Sequence, residues 1–318
     1  MHRVFWLRCR ALLVAVVSCA ALAGLTVSPA SAGLSGLGPD SACYGWETAV
    51  DQYTATALLA SNSAARPLSP TAREKAQLVA DTEISAGSAP DTTATFSTVV
   101  DVYFHVVYAG RSPRQGWVSM SQIEQQIAVL NQTFTGSGFS FRLAGYDYTL
   151  STDWYAQSTF QAEVEMKTAL HQGDSTDLNI YSTSGGGYLG WAYYPKTVQT
   201  QKYAILDGVV LHSGTLPGGY VKNYSLGYTA THEVGHWLGL AHTFDGGCTG
   251  RGDYVDDTPA QATPTSGCPV DGTQDSCPTE AGFDPIHNFM DYSYDVCYYE
   301  FTVGQAVRMQ EQWLHWRA

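Results

Sequence analysis

Apolar and polar positions alternate between two periods along the middle of the chain. Residues 99–108 form a run rich in Val and Tyr, the pattern of a buried strand. Residues 121–134 place Ile123, Ile127, Leu130 and Phe134 at helical spacing. Residues 139–150 return to strand-like alternation, and 159–170 read as a helix with an apolar stripe. A short strand at 178–181 is followed by the interruption Gly185-Gly186-Gly187, and 204–211 read as another strand. Strand–helix–strand–helix–strand order predicts a mixed α/β unit. Beyond Phe244 the chain is loop-like, with many Gly, Pro, Asp and Cys. It closes on a predicted helix at 302–316 with Thr302 as its N-cap.

The first 95 residues lack this patterning. Arg3, Arg8 and Arg10 precede an apolar stretch over 11–27, and Pro29-Ala30-Ser31-Ala32-Gly33 supplies small residues for cleavage. This order describes a secretory signal peptide at 1–32. An uncleaved anchor needs a longer apolar run, and a lipid-attachment box at Cys19 would cut the apolar segment in half. Residues 33–95 are rich in Ala, Ser, Thr and Pro without a dense apolar core, and read as a propeptide. Residues 96–318 are then one globular domain.

Charge and cysteine content sharpen this division. The 318 residues carry a formal charge of -13 and seven cysteines. An acidic chain of this kind does not suit nucleic-acid binding, which asks for a basic patch. Loss of 1–32 removes three arginines and no acid, leaving 13 basic against 29 acidic residues, a formal -16. It also removes Cys9 and Cys19 and leaves Cys43, Cys248, Cys268, Cys277 and Cys297. Outside the cell the last four should be oxidised, in one of three pairings.

The chemistry lies in Thr231-His232-Glu233-Val234-Gly235-His236-Trp237-Leu238-Gly239-Leu240-Ala241-His242. On a helix His232 and His236 sit one turn apart and can share a metal ion, with Glu233 beside it as a base. Gly239 can end the helix in a left-handed turn that returns His242 to the same ion. Three imidazoles leave a fourth tetrahedral position for water, the arrangement of a catalytic zinc site. A structural zinc site would leave Glu233 without purpose. The expected reaction is peptide-bond hydrolysis by a zinc-bound water whose proton passes to Glu233 and then to the leaving nitrogen.

The extended motif, with Asn288-Phe289-Met290-Asp291-Tyr292-Ser293 downstream, resembles the metzincin zinc peptidases. Leu189-Gly190-Trp191-Ala192-Tyr193-Tyr194-Pro195, Leu206-Asp207-Gly208-Val209-Val210 and Asp256-Asp257-Thr258-Pro259 narrow the resemblance to the pappalysin family and its small secreted microbial members. That resemblance implies an α+β fold: an α/β-type upper subdomain to about residue 242 with a mixed twisted sheet and the zinc helix, above a loop-rich, disulfide-stapled lower subdomain at 243–318. It implies Met290 as an apolar floor beneath the metal and Tyr292 as a hydroxyl that stabilises the tetrahedral intermediate. Extended substrate would pair with an edge strand near 207–211, making Gly190, Trp191, Asp207, Gly208 and Val209 substrate-binding residues. It implies disulfides Cys248–Cys277 and Cys268–Cys297, each closing about 30 residues and contributing on the order of 3 kcal/mol. Asp253, Asp256, Asp257 and Thr258 are the candidate ligands of a structural calcium ion. Cys43 is a candidate cysteine switch that fills the open zinc position before the propeptide is cut, although the basic residues and glycine usual around such a cysteine are absent.

The expected protein is a secreted, monomeric zinc metalloendopeptidase acting on proteins or peptides, with no nucleic-acid or membrane partner. The alternatives are an inactive metal-dependent binding or adhesion protein, which would not need Glu233, and a hydrolase of non-peptide amides. Asp295 is a candidate acid for recognising arginine, but Val296 directly precedes Cys297, and the aromatic Trp191, Tyr193 and Tyr194 equally suit apolar side chains.

Overall fold

The computed structural model describes residues 96–199 and 203–318. The predicted signal peptide, the propeptide and Cys43 lie outside these residues. Strands β1 (Thr98–Tyr108), β2 (Phe139–Leu150), β3 (Leu178–Thr183), β4 (Gly190–Ala192) and β5 (Val209–His212) form one sheet in the order β2-β1-β3-β5-β4. All neighbours are parallel except β4, which runs antiparallel to β5. Helices α1 (Met120–Thr133), α2 (Thr152–Ala156), α3 (Phe160–Leu170), α4 (Pro195–Val198), α5 (Tyr228–Trp237) and α6 (Val303–Trp316) complete the architecture.

Local chemistry sets the helix ends. Ser119 and Gln122 form a reciprocal capping box at the start of α1, and Thr302 and Gln305 form one at the start of α6. Thr159 caps α3 through Ala162 N. The sheet then sorts side chains by its period of two. Val100, Val102, Phe104 and Val106 of β1 face a core completed by Ile123, Ile127 and Leu130 of α1, Val234 and Trp237 of α5, and Met309 and Trp313 of α6. The opposite face packs Tyr181 and Val210 against Val164 and Met166 of α3 and against Trp191 and Tyr193. His105, on β1, is a satisfied core residue held by Asp147 (2.6 Å) and Asn179 (2.9 Å).

Three expectations need correction. The chain over 204–211 is not one strand: Ala204–Leu206 coil as a 3-10 turn, and pairing begins only at Val209. The segment near 207–211 is not the sheet edge either, because β4 covers β5 and the outer edge belongs to Gly190–Ala192. Asp207 therefore does not face substrate. It is 5% exposed, and its carboxylate accepts two hydrogen bonds from Arg317 (2.9 and 3.0 Å) and one from Trp237 Nε1 (3.0 Å). Gly208 N donates to the same carboxylate, and Val209 is buried between β3 and β4. The third correction concerns α6, which follows the loop-rich region in sequence but packs into the upper core through Met309 and Trp313. A resemblance read along the chain cannot see that return.

Between them, residues 243–302 hold little regular structure and few buried apolar side chains. Cys248–Cys277 and Cys268–Cys297, with Cα separations of 5.3 and 5.7 Å, tie this region together in the pairing that the family resemblance implies.

The Arg317 guanidinium lies over the Trp237 ring at 3.7 Å and donates to Trp237 O, so the last turn of α5 is held from behind by Asp207 and Arg317. Arg317→Ala would leave the Asp207 carboxylate buried without its cation, at a cost of about 3–5 kcal/mol. Urea unfolding of the two proteins checks this, and a loss below about 1 kcal/mol, the range of an exposed pair, would contradict it.

Candidate active site

Helix α5 places His232 and His236 one turn apart with Glu233 beside the first, and all three are buried. The helix stops at Leu238. Gly239 follows at φ +94°, a left-handed conformation that a side chain would strain. Gly239 N and Leu240 N bond back to His236 O and Gly235 O, and the reversed chain brings His242 to the other two histidines. His236 Nε2 lies 3.1 Å from both His232 Nε2 and His242 Nε2.

The outer ring nitrogens determine what those three atoms can do. His232 Nδ1 donates to Phe289 O (2.7 Å), and His236 Nδ1 donates to Leu240 O (2.8 Å). A carbonyl can only accept, so each neutral ring carries its proton on Nδ1 and turns a bare lone pair inward. His242 Nδ1 lies 3.3 Å from an Asp245 carboxylate oxygen, which also accepts from His242 N (3.0 Å). Three lone pairs aimed at one point suit a cation. A tetrahedral zinc bound by imidazole nitrogen at about 2.0–2.1 Å sets its ligand atoms about 3.3 Å apart, close to the separations found here. Among the described residues these histidines are the one group of three metal-ligating side chains whose atoms lie within 4.8 Å of one another.

The loop 288–293 passes beneath this group. Met290 is fully buried; its N bonds to Asn288 Oδ1 and its O accepts from Thr243 N, just past His242. Tyr292 OH lies 3.1 Å from His242 Nε2. Asp291 holds the turn by accepting from Tyr292 N, Thr265 N and the Gln261 amide, and burial pushes its carboxyl up to about 6. Two partners escaped the sequence reading. Phe244 stacks flat on the His242 ring at 4.7 Å and meets Tyr292 edge-on at 4.9 Å, and Asp245 holds His242. Their signal was an aromatic and an acid directly after the third histidine.

The candidate calcium ligands share one depression with Arg308 and Glu311 but do not close on a point as the histidines do. Asp253 is buried: its Oδ1 accepts from Val255 N, and its Oδ2 lies buried without a hydrogen bond of normal geometry. Asp256 and Asp257 are exposed, Thr258 is half-buried, and Asp257 accepts from Gly304 N at the start of α6.

Asp295 is 1% exposed and turns its carboxylate to the backbone, accepting from Leu226 N (2.8 Å) just before the zinc helix. Burial pushes its carboxyl up to about 7, against the pull of Leu226 N and Tyr228 N. Ionising Asp295 therefore costs more in the fold than in the unfolded chain, and its contribution is lost as pH rises from about 4 towards 7. Asp295→Asn has no such ionisation. Melting curves between pH 4 and 7 should show the unmodified protein losing stability relative to this variant, and parallel curves would refute the assignment.

Comparison with known proteins agrees with this geometry. A peptidase family model described as pregnancy-associated plasma protein-A matches residues 177–313. An extracellular metalloprotease of Sordaria macrospora is 47% identical over 242 residues, 76% of this chain and 83% of that protein. One of Pyricularia oryzae is 49% identical over 221 residues, 69% of this chain and 76% of that protein. Mature mirolysin of Tannerella forsythia, solved with a cleaved peptide, superposes with a TM-score of 0.59 at 31% identity, covering 68% of this chain and 92% of that one. Its promirolysin form gives 0.64 at 31% identity, covering 76% and 89%. On these matches the chain belongs to the pappalysin family of metzincin zinc peptidases.

Proposed function

We infer that this is a secreted zinc endopeptidase in which Glu233 is the general base and Tyr292 the oxyanion partner. The observation that carries the reading is the convergence of three histidine nitrogens with Glu233 one residue from the first. His232, His236 and His242 would hold the zinc. When bound, zinc lowers the pKa of water and polarises the scissile carbonyl. Glu233 takes the proton from the attacking water and delivers it to the leaving nitrogen. The Tyr292 hydroxyl donates to the developing oxyanion, and Phe244 fixes its ring against His242. A binding protein on the same fold is not favoured, since it would have no use for Glu233.

The substrate backbone, in this reading, extends the sheet at the open edge of β4, so Gly190 and Trp191 contribute main-chain groups. The cut is at peptide bonds of proteins or peptides, and the chain works as a monomer. Residues 1–32 serve as the export signal, and 33–95 as a propeptide whose Cys43 thiolate blocks the metal.

Glu233→Ala should retain one zinc per chain and lose about 100- to 10,000-fold in kcat. Tyr292→Phe should lose about 100- to 1,000-fold, mainly in kcat. Turnover of a fluorogenic peptide by zinc-loaded variants checks both; near-normal turnover in Glu233→Ala would overturn the mechanism.

The calcium reading rests on Asp253, whose Oδ2 is buried and which lines the same depression as Thr258. A calcium ion there would offset the burial of the Asp253 carboxylate and rigidify a region that has few apolar contacts. Added calcium should raise the melting temperature of the unmodified, zinc-loaded enzyme, and Asp253→Ala should abolish the rise. An equal rise in both would place the ion elsewhere.

A further inference from the structure

The edge strand β4 is only three residues long and is paired on one side. Such a strand has little of its own to hold it in place, yet it borders the catalytic base. A Cβ on Gly190 would lie 2.9 Å from Glu233 Cγ and 3.1 Å from Glu233 Oε1. Further along, the Tyr194 ring meets the His236 ring edge-on at 5.6 Å. Gly190 and Tyr194 thus touch the base and a zinc ligand. Trp191 and Tyr193, in alternate positions, point the other way.

Those two side chains end on a buried charge pair. Glu163 and Lys167, one turn apart on α3, are 4% and 0% exposed. Glu163 Oε1 accepts from Trp191 Nε1 (2.9 Å), and Oε2 accepts from Tyr193 OH (3.0 Å). Lys167 Nζ lies 2.8 Å from Glu163 Oε1 and donates to Leu206 O (2.6 Å), in the turn that leads into β5. The ammonium also sits over the Tyr193 ring at 4.8 Å. One carboxylate and one ammonium therefore grip β4 through Trp191, the residue just past it through Tyr193, and the approach to β5 through a carbonyl. A buried ion pair is a weak source of stability compared with apolar packing. It is a strong source of position, because charged hydrogen bonds are short and directional.

We infer that Glu163 and Lys167 are positioning residues for substrate: a clamp behind the sheet that fixes the height of the substrate-pairing strand relative to Glu233. Neither touches substrate or the reacting atoms. The inference rests on the reading above that substrate extends the sheet at β4. A displaced edge strand would carry a bound peptide out of line with the base, and small misplacements of this kind are costly in rate.

The test uses peptides that share one scissile bond and lengthen stepwise on either side of it. If substrate pairs with β4, kcat/KM of the unmodified enzyme rises with length. In Glu163→Gln/Lys167→Met, which leaves no buried charge unpaired, the gain from length should fall about tenfold, largely in kcat. Zinc affinity, measured against a competing chelator, should stay at the unmodified value. Tyr193→Phe removes one hydroxyl from the clamp and should show the same effect in smaller measure; it carries the test if the double variant does not fold. Variants that keep the full gain from length overturn the clamp. A drop in melting temperature with equal losses on short and long peptides also overturns it, since that marks a structural role alone. No gain from length in the unmodified enzyme instead overturns strand pairing itself.

Discussion

The convergence of three imidazole nitrogens to within hydrogen-bonding distance, each with its lone pair turned inward, constrains the whole site. Neutral histidine places its proton on either ring nitrogen with similar ease. Here acceptors outside the cluster settle the choice for His232 and His236, Phe289 O from the loop below and Leu240 O from the turn after the helix, while the Asp245 carboxylate lies 3.3 Å from His242 Nδ1. These acceptors come from three separate pieces of chain. The helix end, the left-handed Gly239 and the 288–293 turn must all be in register before the nitrogens face one another. A bare helix carrying His232 and His236 would orient neither ring.

The surrounding fold reads as the means of holding those pieces still. From behind, Asp207 and Arg317 grip Trp237 at the end of the zinc helix. From below, Asn288 and Gln305 exchange side-chain hydrogen bonds and tie the methionine turn to α6. At the side, Asp295 anchors the backbone just before the helix begins. Each is a buried polar group whose cost is offset by the hydrogen bonds it makes. Such groups specify position more than they add stability. The lower region solves a different problem. It buries little apolar surface and depends on two covalent links, which restrict its unfolded state.

Much of this was legible in the chain. Apolar spacing located β1, β2, α1, α3 and α6 to within a residue or two, because side-chain periodicity is local and survives in the order of residues. The 3-10 turn at Ala204–Leu206 was not legible, because its apolar run is as compatible with a buried strand. Asp207 was misplaced for a related reason. Its partners, Trp237 and Arg317, are 30 and 110 residues away, and nothing near it in sequence announces them.

The sequence by itself determined the metal chemistry and the family, since both depend on residue types at short, fixed spacing. His232, Glu233, His236, Gly239 and His242 lie within eleven positions, close enough for helix geometry and one turn to dictate their relation. Tertiary structure alone decided which strand is the open edge, which way each imidazole is protonated, and which carboxylates are buried as anchors. Those questions turn on contacts between distant segments. Both β4 and β5 are short and buried, and only the pairing shows that β4 lacks a neighbour on its far side.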